Sequence, residues 1–119
     1  MPVVYASGTK ALAALEILVQ LNPPLRFKYV AFRIKFDDAL VEVFPTKALP
    51  IEWQSQPPSP SSQAIGDAWT REARSAVLAL PSVIIPSERN YLLNPSHPDF
   101  KKISIGKPER FDFDPRLLS

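Results

Sequence analysis

The chain has 119 residues, of which 45% are hydrophobic, and its 14 basic and 12 acidic side chains leave a net charge of +2. This length and composition predict one globular domain, residues 1–119, with enough apolar side chains to bury a core. The chain has no cysteine and one histidine, which excludes disulfides, thiol nucleophiles and a cysteine- or histidine-rich metal site. It shows neither an apolar run of membrane-spanning length nor a leader peptide, so a cytoplasmic location without membrane contact is expected.

The basic residues are spread along the chain, whereas nucleic-acid-binding proteins usually cluster them on one face or one helix. Direct binding of nucleic acid is therefore not expected. The three glycines form neither a phosphate-binding loop nor a dinucleotide fingerprint.

The first part of the chain predicts a strand at residues 3–6, followed by a helix. Ser7 or Thr9 can cap this helix, which continues to about residue 21. Because the helix is apolar on nearly every side, we expect neighbours to cover several of its sides. Residues 25–36 predict one long strand whose alternation switches near Tyr29, through either a bulge or burial of both faces, and residues 40–44 predict another strand.

The second part begins with residues 45–63, which are rich in proline, serine and glutamine and predict a long surface loop. Residues 62–74 predict a helix, and residues 76–80 a continuous apolar strand at the centre of a sheet. Turns are expected at residues 86–88 and 94–99, and final strands at residues 101–105 and 110–113. The fold class is α+β, with a mixed, mostly antiparallel sheet and a few helices.

Four polar side chains are candidates for a functional site. Glu16 lies in the nearly apolar helix, where a carboxylate must either face solvent or line a pocket, because burial without partners is costly. Ser82 interrupts an apolar run, either as a core hydroxyl bonded to backbone or as part of a small-molecule site. Tyr5 ends a strand and fits either a core edge or a ligand-stacking ring. Asn90 fits a turn or a polar contact to a ligand.

Several short motifs follow one another along the chain in a defined order. They are Val-Val-Tyr-Ala-Ser from residue 3, Ala-Leu-Glu ending at residue 16, Gly-Asp-x-Trp ending at residue 69, Leu-Pro-Ser-Val-Ile from residue 80 and Asn-Tyr-Leu-Leu-Asn-Pro from residue 90. This order and spacing resemble the RES-domain family of bacterial toxins over essentially the whole chain. The asparagine-bounded block and the preceding Pro-Ser are the most specific parts of the resemblance.

The resemblance implies a fold like that of ADP-ribosyltransferases and an enzyme of the NAD⁺ glycohydrolase or phosphorylase type. Such an enzyme cleaves the nicotinamide–ribose bond of NAD⁺, which is its substrate, and uses no cofactor or metal. The resemblance also implies the toxin of a type II toxin–antitoxin system, held inactive by an Xre-type helix-turn-helix antitoxin. Carried over, Glu16 and Ser82 are expected to be catalytic, and Tyr5 and Asn90 to bind the dinucleotide.

The family's arginine belongs to a Gly-Arg-Trp segment upstream of the Val-Tyr strand, and no such segment stands in this sequence. The resemblance therefore implies either a chain shortened at its N-terminus or a start assigned too late, with the arginine segment lying upstream of Met1. Self-association into a homo-oligomer through an unpaired strand edge is a further expectation. Three alternatives stay open: an impaired RES-like domain that only binds antitoxin or nucleotide, an ADP-ribosyltransferase acting on a protein, and a non-enzymatic interaction module that uses residues 45–63.

Overall fold

A computed structural model describes residues 3–20, 29–55, 59–114 and 116, and its centre is a four-stranded sheet in the order β1-β6-β5-β4. Strand β5 pairs in parallel with β4, and β6 pairs antiparallel with both β1 and β5. This mixed, mostly antiparallel sheet confirms the α+β class. Its strands are β1 (Val4–Ser7), β4 (Val41–Val43), β5 (Val77–Pro81) and β6 (Arg89–Leu93).

Within the described residues, two α-helices and two short ribbons lie around the central sheet. The helices are α1 (Lys10–Gln20) and α2 (Pro60–Glu72). One ribbon pairs β2 (Tyr29–Ala31) with β8 (Glu109–Phe111), and the other pairs β3 (Ile34–Lys35) with β7 (Ser104–Ile105), both antiparallel.

Strand β5 is apolar throughout because both of its faces are covered. On one face Leu78 packs against Trp69 of α2 and Leu92 of β6, and all three are buried. On the other face Val77 packs with Leu93 in a second core cluster. The predicted central strand is therefore confirmed, and its two buried faces explain the absence of alternation along it.

Each helix begins at a residue whose side chain accepts a backbone hydrogen bond. The Thr9 hydroxyl accepts from the Leu12 amide at 3.1 Å, so Thr9 rather than Ser7 caps α1. Ser59 caps α2 with Pro60 in the first turn, so α2 begins two residues earlier than its sequence predicts and takes the end of the expected 45–63 loop. Ala73, in the left-handed conformation with φ of 49°, ends α2.

Helix α1 is less covered than its apolar composition predicts. Leu12 is buried, but Val19 is 62% exposed, so the expectation of neighbours on several sides is wrong for the described part of this helix. The predicted end of the helix near residue 21 lies outside the described residues.

The long strand predicted for residues 25–36 is wrong as a single element. Residues 25–28 lie outside the described residues, and the remainder forms two strands, β2 and β3, separated by Phe32 and Arg33. The change in alternation near Tyr29 therefore reflects two ribbons with different partners and not a bulge in one strand.

The sequence did not predict strand β6. Asn90 and Asn94 both indicated turns, but Asn90 lies inside β6, between β1 and β5. Asn94 does form a turn, since its side-chain oxygen accepts from the Ser96 amide at 3.0 Å. The predicted strand at residues 101–105 begins late because Pro98–Lys102 form a 3₁₀ turn. In the described ranges, no helix combines the length and the apolar character needed to cross a membrane.

Candidate active site

The Glu16 carboxylate is held by two neutral side chains from the strand pair β5–β6 and the loop between them. The Ser82 hydroxyl donates to one Glu16 oxygen at 3.5 Å, and the Asn90 side-chain amide donates to the other at 3.3 Å. Glu16 is half-buried, so it does not lie on a fully solvated face, and it is absent from the lining of the two cavities that the described residues form, so the structure does not show it lining a pocket. Both distances are at the long end of the hydrogen-bond range.

Ser82 occupies this place because strand pairing ends at Pro81, the last residue of β5. Proline has no N–H for a further ladder bond, and the chain turns into a loop closed by the Ser82 amide donating to the Glu88 carbonyl at 2.8 Å. Inside the loop the Ser82 hydroxyl accepts from the amides of Ile84 and Ile85 at 3.1 and 3.2 Å. Ser82 is therefore both the backbone-bonded core hydroxyl and a partner of the carboxylate.

Asn90 has its orientation fixed from both sides. Strand register places it opposite Ser7 of β1 and opposite Leu80 of β5. The Ser7 hydroxyl donates to the Asn90 side-chain oxygen at 2.8 Å, which leaves the amide nitrogen free to donate to Glu16. A chain of three polar side chains thus runs from Ser7 through Asn90 to Glu16.

Gly8 allows β1 and helix α1 to meet closely beside this cluster. Its amide donates to the Arg89 carbonyl at 3.0 Å, and a Cβ at this position would lie 3.3 Å from the same oxygen. The chain can therefore turn from β1 directly into α1 against β6, which brings Glu16, two turns along the helix, above Asn90.

Tyr5 lies on the same face of the sheet as Ser7, because side chains two residues apart in a strand share a face. Its side chain is 75% exposed, so it is no edge-of-core tyrosine. Tyr5 is thus available to a ligand near the cluster, whereas Ser82 is fully buried and Asn90 is half-buried.

The Glu16 charge is balanced by hydrogen-bond donors and not by a cation. Among the described residues, no Lys or Arg nitrogen lies within 4.0 Å of its carboxylate. The described ranges likewise contain no group of three or more His, Asp or Glu side chains that could hold a metal ion. The cluster can therefore stabilise positive charge that a ligand brings or develops.

Two cavities in the described part of the chain lie away from Glu16. The first, of about 190 Å³, is lined by residues that include Ala79, Pro81 and Arg89. Because Arg89 neighbours Asn90 in β6, its side chain lies on the opposite face of the sheet from the Glu16 cluster. The second cavity, of about 280 Å³, lies along the β3–β7 ribbon.

The sequence pointed to Glu16, Ser82 and Asn90, and the structure brings these three together. It did not identify Ser7 as a member of the cluster, since Ser7 entered only as a possible helix cap and as the last residue of the Val-Val-Tyr-Ala-Ser motif. A serine at the end of a strand carries no signal of its own, and its role depends on the β1–β6 register that places it opposite Asn90.

The central sheet and the hydrogen-bonded carboxylate above it place the chain in the class of small α+β domains with a polar cluster on one face of the sheet. Comparison with known proteins narrows this class. The model of the RES domain family matches residues 1–114, and the chain belongs to this family.

Named relatives are similar over nearly the whole chain. The "Prs ADP-ribosylating toxin" of Sphingobium sp. (strain YBL2) is 39% identical over 121 residues, which cover 98% of this chain and 74% of the relative. The "Toxin Res" of Yersinia enterocolitica is 33% identical over 96% of this chain and 76% of the relative. The "Toxin Res" of Photorhabdus laumondii is 33% identical over 98% of this chain and 76% of the relative.

Proposed function

We propose that this chain is a toxin that cleaves the nicotinamide–ribose bond of NAD⁺. The observation that carries the proposal is the Glu16 carboxylate, placed by an apolar helix and held by Ser82 and Asn90. Membership of the RES domain family and the toxin names of its relatives support the same function.

The carboxylate suits the charge that this reaction develops. When the bond between the ribose C1′ and the nicotinamide nitrogen breaks, its electron pair goes to nicotinamide and the sugar becomes oxocarbenium-like. A fixed negative group near the ribose stabilises that positive charge. Water then adds to C1′ and loses a proton, which gives nicotinamide, ADP-ribose and one proton.

The other side chains of the site have two roles in this proposal: Tyr5 contacts the substrate, and Ser82 and Asn90 hold the Glu16 carboxylate in place. Ser82 has no exposed surface, and its hydroxyl already serves two backbone amides, so we assign it the positioning of Glu16. Asn90 is fixed between Ser7 and Glu16 and has the same positioning role. Tyr5, with its exposed ring, is the group suited to stack on the nicotinamide.

A toxin that consumes NAD⁺ endangers the cell that makes it. We therefore include in the proposal an Xre-type antitoxin as the partner of this chain, within a type II toxin–antitoxin system. Co-purification of the chain with the product of a neighbouring helix-turn-helix gene, and loss of toxicity when both are expressed, would support this part. Unchanged toxicity in the presence of that product would remove it.

A second candidate is transfer of ADP-ribose to a protein. The name of the Sphingobium relative, an ADP-ribosylating toxin, favours it. Both candidates share the bond cleavage and the role of Glu16, and they differ in the nucleophile that attacks C1′.

Incubating the purified chain with NAD⁺ and identifying the products separates these reactions. Free ADP-ribose indicates hydrolysis, ADP-ribose-1-phosphate formed in phosphate buffer indicates phosphorolysis, and labelled protein indicates transfer. Nicotinamide release measures the shared step. Binding of NAD⁺ with no product from any acceptor would show an impaired domain and would contradict the proposal.

Replacing Glu16 by Gln tests the central residue without changing its size. We expect nicotinamide release to fall by about a hundredfold or more, because an amide cannot supply the negative charge. A matched control is Glu52→Gln, which alters a carboxylate on an exposed turn and should leave the rate unchanged. Turnover in Glu16→Gln equal to that of the control would remove Glu16 from the mechanism.

A further inference from the structure

The cavity along the β3–β7 ribbon is a basic groove whose lining includes no residue of the Glu16 cluster. It has a volume of about 280 Å³ and is lined by Arg33, Lys35, Ser104, Gly106, Lys107 and Glu109. On the inner side of the ribbon, Ile34 packs against the core cluster of Val77 and Leu93. The side chains before and after Ile34 therefore point outward, so the ribbon has an apolar inner face and a basic outer face.

The groove is concave because long cationic side chains stand opposite small residues. Lys35 pairs with Ser104, and Arg33 accepts a backbone bond from Gly106 at 2.8 Å. A Cβ on Gly106 would lie 3.3 Å from the Arg33 carbonyl oxygen, so this close approach favours glycine. Ser104 and Gly106 leave a trough that is bordered by Arg33 and Lys35 on the facing segment and by Lys107 beside Gly106.

The cations of the groove have no carboxylate partner in the described structure. All 12 acidic side chains of the protein lie in the described ranges. None of them is within 4.0 Å of the charged nitrogens of Arg33, Lys35 or Lys107. The acidic residue of the lining, Glu109, is paired at 3.1 Å with Lys10. The groove therefore carries an uncompensated positive charge.

We propose that this basic groove docks an acidic peptide segment of a partner protein. Carboxylates lying over Ser104 and Gly106 would reach the bordering cations, and an arginine can bind a carboxylate through two parallel hydrogen bonds. As far as the described residues go, the lining has no aromatic ring on which a nucleic-acid base could stack. The described lining also includes no apolar side chain that could enter a lipid layer. Nucleic acid and an anionic membrane therefore both fit the groove less well than an acidic peptide does.

The test measures binding of the full chain to a synthetic ten-residue peptide of alternating Asp and Gly by calorimetry. The groove variant carries Arg33→Ala, Lys35→Ala and Lys107→Ala. The control variant carries Arg71→Ala, Lys47→Ala and Lys101→Ala, which removes one arginine and two lysines from exposed sites elsewhere. At low salt we expect the groove variant to bind the peptide about tenfold more weakly and the control to match the unchanged chain within about twofold.

Three results would overturn the proposal. The first is an equal loss of affinity in both variants, which would show attraction by net charge alone. The second is tighter binding of a ten-nucleotide single-stranded DNA than of the peptide, and the third is tighter binding of phosphatidylserine vesicles. If the triple variant does not fold, Lys107→Glu replaces it, because Lys107 lies outside the strands and its reversal must still weaken peptide binding.

Discussion

The Glu16 cluster and the basic groove are both charged regions, but the fold treats their charges differently. The Glu16 carboxylate is half-buried and held by two side chains that are themselves bonded elsewhere. The groove cations are exposed and lack a carboxylate partner among the described residues. A charge whose position is fixed before a ligand arrives can stabilise the charge that develops in a reaction. Surface charges that are not held in place are better suited to attracting a binding partner.

Ser82→Ala should have the largest effect after loss of the carboxylate itself. It removes a donor to Glu16 and leaves the Ile84 and Ile85 amides without their acceptor. We expect unfolding free energy to fall by about 1–3 kcal/mol. We also expect nicotinamide release to fall by about a hundredfold, because Glu16 is no longer positioned.

The matched control is Ser75→Ala. The Ser75 hydroxyl also makes two bonds, accepting from Trp69 and donating to the Val77 carbonyl, each at 2.7 Å. This variant should lose comparable stability in denaturant titration but keep its rate. Equal losses of rate in both variants would show that Ser82 acts through stability alone.

Asn90→Ala should reduce nicotinamide release by about tenfold, because one Glu16 oxygen loses its donor. Ser7→Ala should reduce the rate by only about threefold, since Ser7 acts one step further from Glu16. Steady-state kinetics should place the losses in kcat more than in KM. A larger loss in Ser7→Ala than in Asn90→Ala would contradict the proposed order of contacts.

Arg74→Met tests a surface cation that the fold does hold. Arg74 bridges Glu42 of β4 and Glu72 of α2, and its hydrogen bonds to Glu42, at 3.0 and 3.1 Å, raise the pKa of Arg74 above its usual value. We expect a loss of about 0.5–1 kcal/mol in unfolding free energy, reduced by salt. The control Arg71→Met, a neighbouring exposed arginine, should change stability by less.

The triple groove variant should have the smallest effects on stability and chemistry. Because the three cations have no carboxylate partner in the described structure, their loss should change unfolding free energy by about 0.5 kcal/mol or less. Nicotinamide release should stay within about twofold of the unchanged chain, since the ribbon and the Glu16 cluster lie on opposite sides of the sheet. A large loss of rate would mean that the two regions are coupled.

The sequence predicted the elements whose signals are local. The apolar run of β5, the proline-and-serine start of α2 and the polar interruption at Ser82 all stand in short windows. The prediction was wrong for β6 because asparagine is common in turns, and Asn90 therefore indicated a turn. It was also wrong for residues 29–35, because alternating apolar and polar side chains indicate a strand but do not show which strand it pairs with.

By itself, the sequence determined which chemical groups this protein has: one carboxylate in an apolar helix, a Pro-Ser break after an apolar strand, and the motifs of the RES domain family. Tertiary structure alone decided that Ser7, Asn90 and Glu16 form one hydrogen-bonded chain, and that three separated cations border one groove. The reason is that hydrogen bonds and charge act over a few ångströms in space, and strand register, which no short window of sequence encodes, sets those distances.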